Sequence, residues 1–286
     1  MTPFQKVIKY GAIAFGIYLC IIILSAIIFT FTAIFGITMG IEFIQNNFSA
    51  SESSQNTINE ASYEYSEVKK LNIDLNICKL DIKSGDTLKV ETINVSDEFY
   101  CNQNGKELKI KDDKIANMNL FNNENITPQV IIYIPEDLKF DEVDIETDIN
   151  EVNIDKINSD KIDIKTGAGK CTIENILAKD LQIKSGAGEN IIKNIETDKL
   201  ELEAGIGKTE ITAEILDVAD INSGVGSLTL NIIGNKDEYK IRPSVGLGRL
   251  VVDGENVQSE NIIGDGNRKI DIETGVGETV IKFLNV

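Results

Sequence analysis

Histidine and tryptophan are absent from the sequence. Without histidine the chain has no imidazole to act as a general base or metal ligand. Without tryptophan it has no indole ring on which a sugar could stack. Seven of the eleven phenylalanines fall within the first 48 residues, so the remainder is also poor in aromatic anchors. These absences exclude many enzyme mechanisms and most aromatic sugar platforms.

Basic residues are outnumbered by acids. Lys and Arg number 28 against 46 Asp and Glu, which gives a formal net charge of -18. Such a surface repels nucleic acid and anionic membrane. We therefore expect no nucleic-acid partner.

Charge is almost missing from the first 42 residues, where only Lys6, Lys9 and Glu42 are charged. The uncharged run from Tyr10 to Ile41 is long enough to cross a bilayer, and it exceeds the apolar core of an ordinary cleaved signal peptide. Lysines before the run favour a cytoplasmic N terminus. We predict a cytoplasmic segment at 1–9, a transmembrane signal anchor at 10–41, a polar linker at 42–67 and an extracytoplasmic remainder.

A repeat of 19 residues dominates the chain from Val143 to about Asn235. Its clearest mark is a Gly-x-Gly step whose first glycines lie at 167, 186, 205 and 224. The units begin at Val143, Ile162, Leu181, Leu200 and Ala219, and the residues at positions one, three and twelve of each unit are aliphatic. Polar residues lie between positions one and three, which is the alternation of strands buried on one face. The period indicates a solenoid. The sequence therefore predicts an all-β parallel β-solenoid over 143–286, preceded by an irregular β cap region at 68–142.

The Gly-x-Gly step is predicted to be a corner of each coil. Its glycines need either a positive φ or room for a neighbouring backbone to pass closely. Asp148 and Asn150 fill the same positions in the first unit, and both residue types tolerate the left-handed region. We expect the middle residues to point into the core: Ile149, Ala168, Ala187, Ile206 and Val225.

Two columns of charge are expected along the stack. Position nine alternates in sign through Glu151, Lys170, Glu189 and Lys208, which predicts a surface ladder of opposite charges. Position two is acidic and suggests either a solvated face or an oxygen-rich cation site. Its members are Asp144, Asp163, Gln182, Glu201, Asp220 and, in the last unit, Asp271.

After Asn235 the glycine steps continue at Gly246 and Gly275, with spacings of 22 and 29. We expect the insertion Asp253–Asn267 to be a loop outside the stack, and Phe283 and Leu284 to close the last core layer. Gly-x-Gly here lacks the helix and third glycine of a dinucleotide site. No nucleotide, cofactor or metal and no catalytic residue is predicted.

Four cysteines at irregular spacing carry little information. Cys20 and Cys171 are predicted to be structural. Cys78 and Cys101 remain open to one disulfide outside the cell.

Several features together resemble the bacterial putative-adhesin family of unknown-function domains: the N-terminal anchor, the Ile134-Pro135 step before the repeat, and units such as Leu181–Glu189. The resemblance covers roughly residues 68–286 and implies a β-helix-like domain displayed outside the membrane, with no catalytic residue defined. The expected function is a non-enzymatic binding or structural surface whose partner is another envelope protein or a cell-surface polymer. An accessory role in envelope-stress signalling and, more remotely, a carbohydrate-active enzyme are the alternatives.

Overall fold

The computed structural model describes residues 60–112, 128–259 and 261–284, all of which belong to one compact unit, Ile58–Val286. Within those ranges no helix combines the length and the apolar character needed to cross a membrane. The predicted segment 1–9, the anchor at 10–41 and the part of the linker up to residue 59 lie outside the described residues.

The described residues form β-strands joined by short connections and one 3₁₀ turn at Lys236–Glu238. The strands are β1 (Glu60–Tyr65), β2 (Lys70–Leu75), β3 (Lys79–Gly85), β4 (Leu88–Ile93), β5 (Tyr100–Asn104), β6 (Glu107–Asp112), β7 (Gln129–Pro135), β8 (Phe140–Ile154), β9 (Ile157–Ile173), β10 (Ile176–Ile233), β11 (Tyr239–Val252), β12 (Glu255–Val257) and β13 (Arg268–Leu284). The predicted all-β class is confirmed, and the strands are mostly parallel. They are longer than the short strands expected for 19-residue coils, since β10 alone has 58 residues.

Parallel pairing in the middle of the chain follows the 19-residue period. Ile145 pairs with Ile164 between β8 and β9, and Ile164 pairs with Ile183 between β9 and β10. β10 covers three successive units without a break. We call each layer of this stack a rung. The aliphatic residues of positions one, three and twelve are buried in one core that extends through the described rungs.

At the N-terminal end, the order of the rungs differs from the order of the chain. β2 and β3 pair with β8 on one side. On their other side they pair with β6 and β7, which come later in sequence but lie further out. β4 and β5 then add antiparallel strands to β7 and β6. These strands lie beyond β2 and β3 at the N-terminal end of the stack.

The prediction that a polar linker extends to residue 67 is wrong, because residues 60–65 form the strand β1. It pairs antiparallel with β4 and matches Tyr63 with Val90. All six of its residues are exposed or only half-buried. Because an outlying strand of this kind keeps a polar composition, its sequence is hard to distinguish from a solvated linker.

At the C-terminal end, too, the order of the rungs differs from the order of the chain. β13 lies between β10 and β11 and is parallel to both. The outermost long rung is therefore β11, and the expectation that Phe283 and Leu284 close the last core layer is wrong. Phe283 packs beside Tyr239, with ring centroids 6.1 Å apart, while Leu284 is exposed. Both rungs carry the same glycine corner, so the corner does not reveal which one lies outside.

The prediction of a loop outside the stack is wrong, because residues 253–259 and 261–267 cover the end of the stack. β12 pairs antiparallel with Leu250–Val252, and Ile263 exchanges backbone hydrogen bonds with Ile241. The Val245 N–H donates to Ser259 Oγ over 2.7 Å. A strand edge left open invites pairing with another chain, and this segment blocks it.

Candidate binding groove

The glycine corner has two separate physical causes. At the first glycine the rungs are too close for a side chain: a Cβ on Gly205 would lie 2.2 Å from the carbonyl oxygen of Gly186. At the second glycine the conformation adds a further restriction, because Gly207 has φ +142° and its Cβ would lie 1.9 Å from the Gly188 oxygen. The predicted backbone requirement is thus present at both positions, with positive φ at the second.

The middle residues of the corner point outward, contrary to the prediction. Ile206 is 52% exposed and Val225 47% exposed. The equivalent Val276 and Leu247 are also exposed. Alternation counted forward from the inward positions one and three would place position seven inside. The first glycine shifts the phase by one residue, so position seven lies outward with positions nine and eleven. The side chain of Ile149 lies outside the described set.

Asp148 occupies a first-glycine position for a different reason from the one predicted. Positive φ occurs outside glycine only at Glu67, Asn94, Asn194 and Asp253 among the described residues, so Asp148 is not left-handed. Among the described residues, β8 pairs with the preceding rung as far as Thr147 and then again from Val152. A Cβ is accommodated at Asp148 because no paired strand residue lies beneath it.

A surface groove of 720 Å³ runs along the stack beside this corner. The first-glycine column contributes its bare backbone to the lining. Position four forms one border through Glu146, Lys165, Lys184, Glu203, Asn222 and Glu273. Five steps between these rungs, at ~4.8 Å each, give a length of ~24 Å. The groove therefore suits an extended ligand better than a compact one.

The groove is bordered at one end by a 510 Å³ hollow that shares Asn222 and Glu273 with it. Arg242 and Asp271 line that hollow and are joined by two hydrogen bonds, one of them 2.6 Å long from Nη2 to Oδ2. Ile262, which is exposed, supplies an apolar side. A ligand in the groove can thus extend under the segment that covers the end of the stack.

The lysines of the border are paired with acids within the protein. Lys184 Nζ lies 3.0 Å from Glu203 Oε1 and 3.2 Å from Glu201 Oε1. Hydrogen bonding to Glu203 and then to Glu201 raises the pKa of Lys184 above its ordinary value. Lys184 therefore stays cationic at neutral pH, which makes it a donor for a ligand and a poor proton acceptor.

The predicted ladder at position nine is present in register. Glu151 pairs with Lys170, and Lys170 pairs with Glu189, through adjacent strands. Lys208 Nζ then lies 3.4 Å from Glu189 Oε1. These exposed contacts stabilise the fold little, at ~0–1 kcal/mol each, but they leave a surface of balanced charge.

The acidic column at position two is also in register. Asp144 stacks on Asp163 and Asp220 on Asp271. Burial, and then the nearby Glu142, raises the pKa of Asp144 above its ordinary value. Within the described ranges, no group of three or more Cys, Asp or Glu side chains is arranged to hold a metal ion.

Three cysteines lie within the described residues, and none of them forms a disulfide. Cys78 and Cys171 are buried, and burial raises the pKa of each to about 12. Burial also raises the pKa of Cys101 to about 11. None of the three has the thiolate character of a reactive cysteine, and Cys20 lies outside the described residues.

The sequence reasoning missed the groove, although a signal for it existed. Small residues at positions five and six follow a charged residue at position four in several successive units, as in Lys184-Ser185-Gly186. Such a column leaves a groove only when the side chain at the neighbouring position seven points outward. Because position seven was predicted to point inward, the sequence did not predict the groove.

A family model described as Toastrack DUF4097 matches residues 68–278. Among solved structures, a putative cell adhesion protein from Clostridium sporogenes is 20% identical, with a TM-score of 0.36, and the match covers 80% of this chain and 100% of that one. A putative adhesin from Bacteroides fragilis is 15% identical, with a TM-score of 0.43, covering 80% and 98%. No curated protein matches the chain.

Proposed function

Because the chain belongs to the Toastrack DUF4097 family, we propose that it is a non-enzymatic binding protein of the adhesin type. In this proposal a parallel β-solenoid is displayed outside the cell on an N-terminal transmembrane helix. The observation that carries the binding role is the groove of 720 Å³, which extends over consecutive rungs instead of forming a closed pocket. Its ligand would be an extended segment of another envelope protein or a cell-surface polymer.

The chemistry of the groove supports binding over catalysis. The two lysines of the groove border are each ion-paired with an acid, Lys165 with Asp163 and Lys184 with Glu203. No imidazole exists in the chain, and Lys184 holds its proton. Hydroxyls at Thr166 and Ser185 and the bare glycine backbone offer hydrogen bonds spread over several rungs. Many weak contacts along a line favour a long ligand.

Blocking the groove tests this role. Asn222 lies outward at its border, so Asn222→Trp should obstruct the groove without disturbing the core. Full-length wild-type and variant chains, immobilised separately, are exposed to solubilised cell-envelope proteins and polymers. We expect retention by the wild type and at least a tenfold loss for Asn222→Trp. The matched control is Thr172→Trp, which places the same side chain at an outward position eleven. This variant should retain the wild-type level of binding.

Failure of the wild type to retain any envelope component, or equal retention by both variants, would overturn the assignment of the groove. The proposed location is tested independently by treating intact cells with protease. The domain should be cleaved along with known surface proteins, and protection of the domain would contradict the extracytoplasmic placement.

A further inference from the structure

A row of exposed aliphatic side chains lies on the outward face that follows the glycine corner. Ile206, Val225, Val276 and Leu247 occupy consecutive rungs in the stack, and their exposures are 52, 47, 44 and 73%. Ala187 precedes them on the next rung. Exposed aliphatics scattered singly need no explanation, whereas a contiguous row of this kind marks an interaction surface.

Strand alternation places positions seven, nine, eleven and thirteen on one outward side. We call these positions on the five rungs from Ala187 to Leu247 the ridge face. Its acids and bases balance: Glu189, Glu210, Asp253 and Glu278 against Lys193, Lys208, Arg249 and Lys282. The whole chain has a net charge of -18, so the ridge face is a locally neutral region on a molecule whose copies repel one another.

We propose that the occupant of the ridge face is a second copy of this chain. The two copies would run antiparallel about a two-fold axis that passes through the rung of Val225, so the same surface is used by both. The rung of Ile206 then faces the rung of Val276 in the second copy. The rung of Ala187 faces that of Leu247, which sets the most exposed side chain of the row against a small one.

Charge complementarity selects this register. At position nine, Lys208 faces Glu278 of the second copy and Glu189 faces Arg249, and symmetry provides each contact twice. Ser227, on the axis, faces itself. Sliding the copies by one rung would set Lys208 against Arg249, or Glu189 against Glu278. Only the central register brings opposite signs together along the whole column.

The charged side chains are already held in place within one copy. Lys208 lies 3.4 Å from Glu189, and Arg249 is paired with Glu278. In the dimer each cation would lie between two acids, so little additional side-chain freedom is lost on association. The neutral, pre-ordered strip therefore favours a second copy of the same surface over a strongly charged partner.

The size of the ridge face also fits a dimer. Five rungs at ~4.8 Å and six residues of strand at ~3.3 Å define ~500 Å² per copy, or about 1,000 Å² in total. That area lies at the lower limit for specific complexes. The dimer should accordingly depend on protein concentration.

Cysteine cross-linking of the full-length chain tests the axis. In a background of Cys20→Ser and Cys101→Ser, the described cysteines that remain, Cys78 and Cys171, are buried. Ser227→Cys should form a disulfide-linked dimer on mild oxidation because residue 227 meets its own symmetry mate. Asn222→Cys, on the same rung but beside the groove, is the control. We expect at least tenfold more dimer for Ser227→Cys.

A mixture of tagged chains tests the register. Lys208→Cys and Glu278→Cys should cross-link to each other far more than either does to itself. As a third arm, Val225→Lys places two cations on the axis and should reduce the dimer in sedimentation at least tenfold, equivalent to about 1.4 kcal/mol. Its melting temperature should stay close to that of the wild type because the side chain is half-exposed.

Equal cross-linking at residues 227 and 222 would overturn the proposal, as would a Ser227→Cys product that joins the chain to a different protein. Preferential self-linking of Lys208→Cys would contradict the register. The expected cross-links form at Ser227→Cys, Lys208→Cys and Glu278→Cys on the ridge face, so their outcome is independent of the proposed binding role of the groove.

Discussion

The carbonyl oxygen of Gly186 lies 2.2 Å from the point that a Cβ on Gly205 would occupy. The two residues are 19 apart in sequence and occupy the same corner position on successive rungs. Because that oxygen belongs to the backbone, it cannot move aside without separating the rungs. This contact explains the glycine column more directly than backbone conformation does.

Gly205→Val should therefore destabilise the stack severely, by about 3 kcal/mol or more, through overpacking at a backbone contact. Chemical denaturation of the full chain measures the change. Asp148→Val is the matched control, because that corner position already carries a Cβ and faces no paired strand residue. We expect it to change stability by less than about 1 kcal/mol. Similar effects for both variants would contradict the close-contact explanation.

Removal of residues 268–286 should unfold β11 as well, since β13 is its long parallel partner. We expect the amides of Tyr239–Val252 to lose protection in hydrogen exchange, while those of β8 and β9 keep theirs and act as an internal control. Retained protection throughout β11 would show that β11 can pair directly with β10, against the observed order.

Pro243→Thr together with Ser259→Ala should promote end-to-end association. Outward N–H groups at Ile241 and Val245 are bonded to Ile263 and Ser259, and proline has none to offer between them. The double substitution creates two free donors on an edge strand. Light scattering should increase with time relative to Ser244→Thr, a substitution on the same strand. An unchanged signal would mean that other features protect this edge.

Asp144→Asn should stabilise the chain at neutral pH by up to about 0.5 kcal/mol. The folded-state pKa of Asp144 is raised, by burial first and then by Glu142, so the charged carboxylate is disfavoured on folding. That cost is fully present above the folded pKa and disappears as the pH falls below the unfolded value. The stabilisation should accordingly fade in acid.

Denaturation curves at several pH values test this, with Asp271→Asn as the control in the same column. Asp271 is paired with Arg242, so its substitution should give no stabilisation at pH 7. A gain for Asp144→Asn that persists unchanged in acid would contradict the assigned cause.

Much of the fold could be predicted because the same pattern of inward and charged positions recurs in each unit of the repeat. Inward residues such as Ile145, Ile164 and Ile183 recur at one spacing. The opposite charges of Lys170 and Glu189 become neighbours only when the rungs stack in register. Agreement between columns made the parallel stack a strong inference. One such column alone would have been compatible with several sheets.

The failures have a common physical origin in features that the repeat does not encode. Strict alternation across the corner predicts an inward Ile206, yet the glycine before it shifts the phase by one residue. The order of β11 and β13 depends on which connection spans two rungs, and both rungs carry equivalent corners. The groove depends on both the orientation of position seven and the stacking, so it could not emerge from one unit viewed alone.

The placement of β13 has a consequence for how the protein is made. Synthesis proceeds from the N terminus, so the residues of β13 leave the ribosome after every other described strand. Until they arrive, β11 has no long parallel partner, because its place in the sheet is two strand spacings, about 10 Å, from β10. β11 can therefore join the core only together with β13, after all the other described strands have been translated.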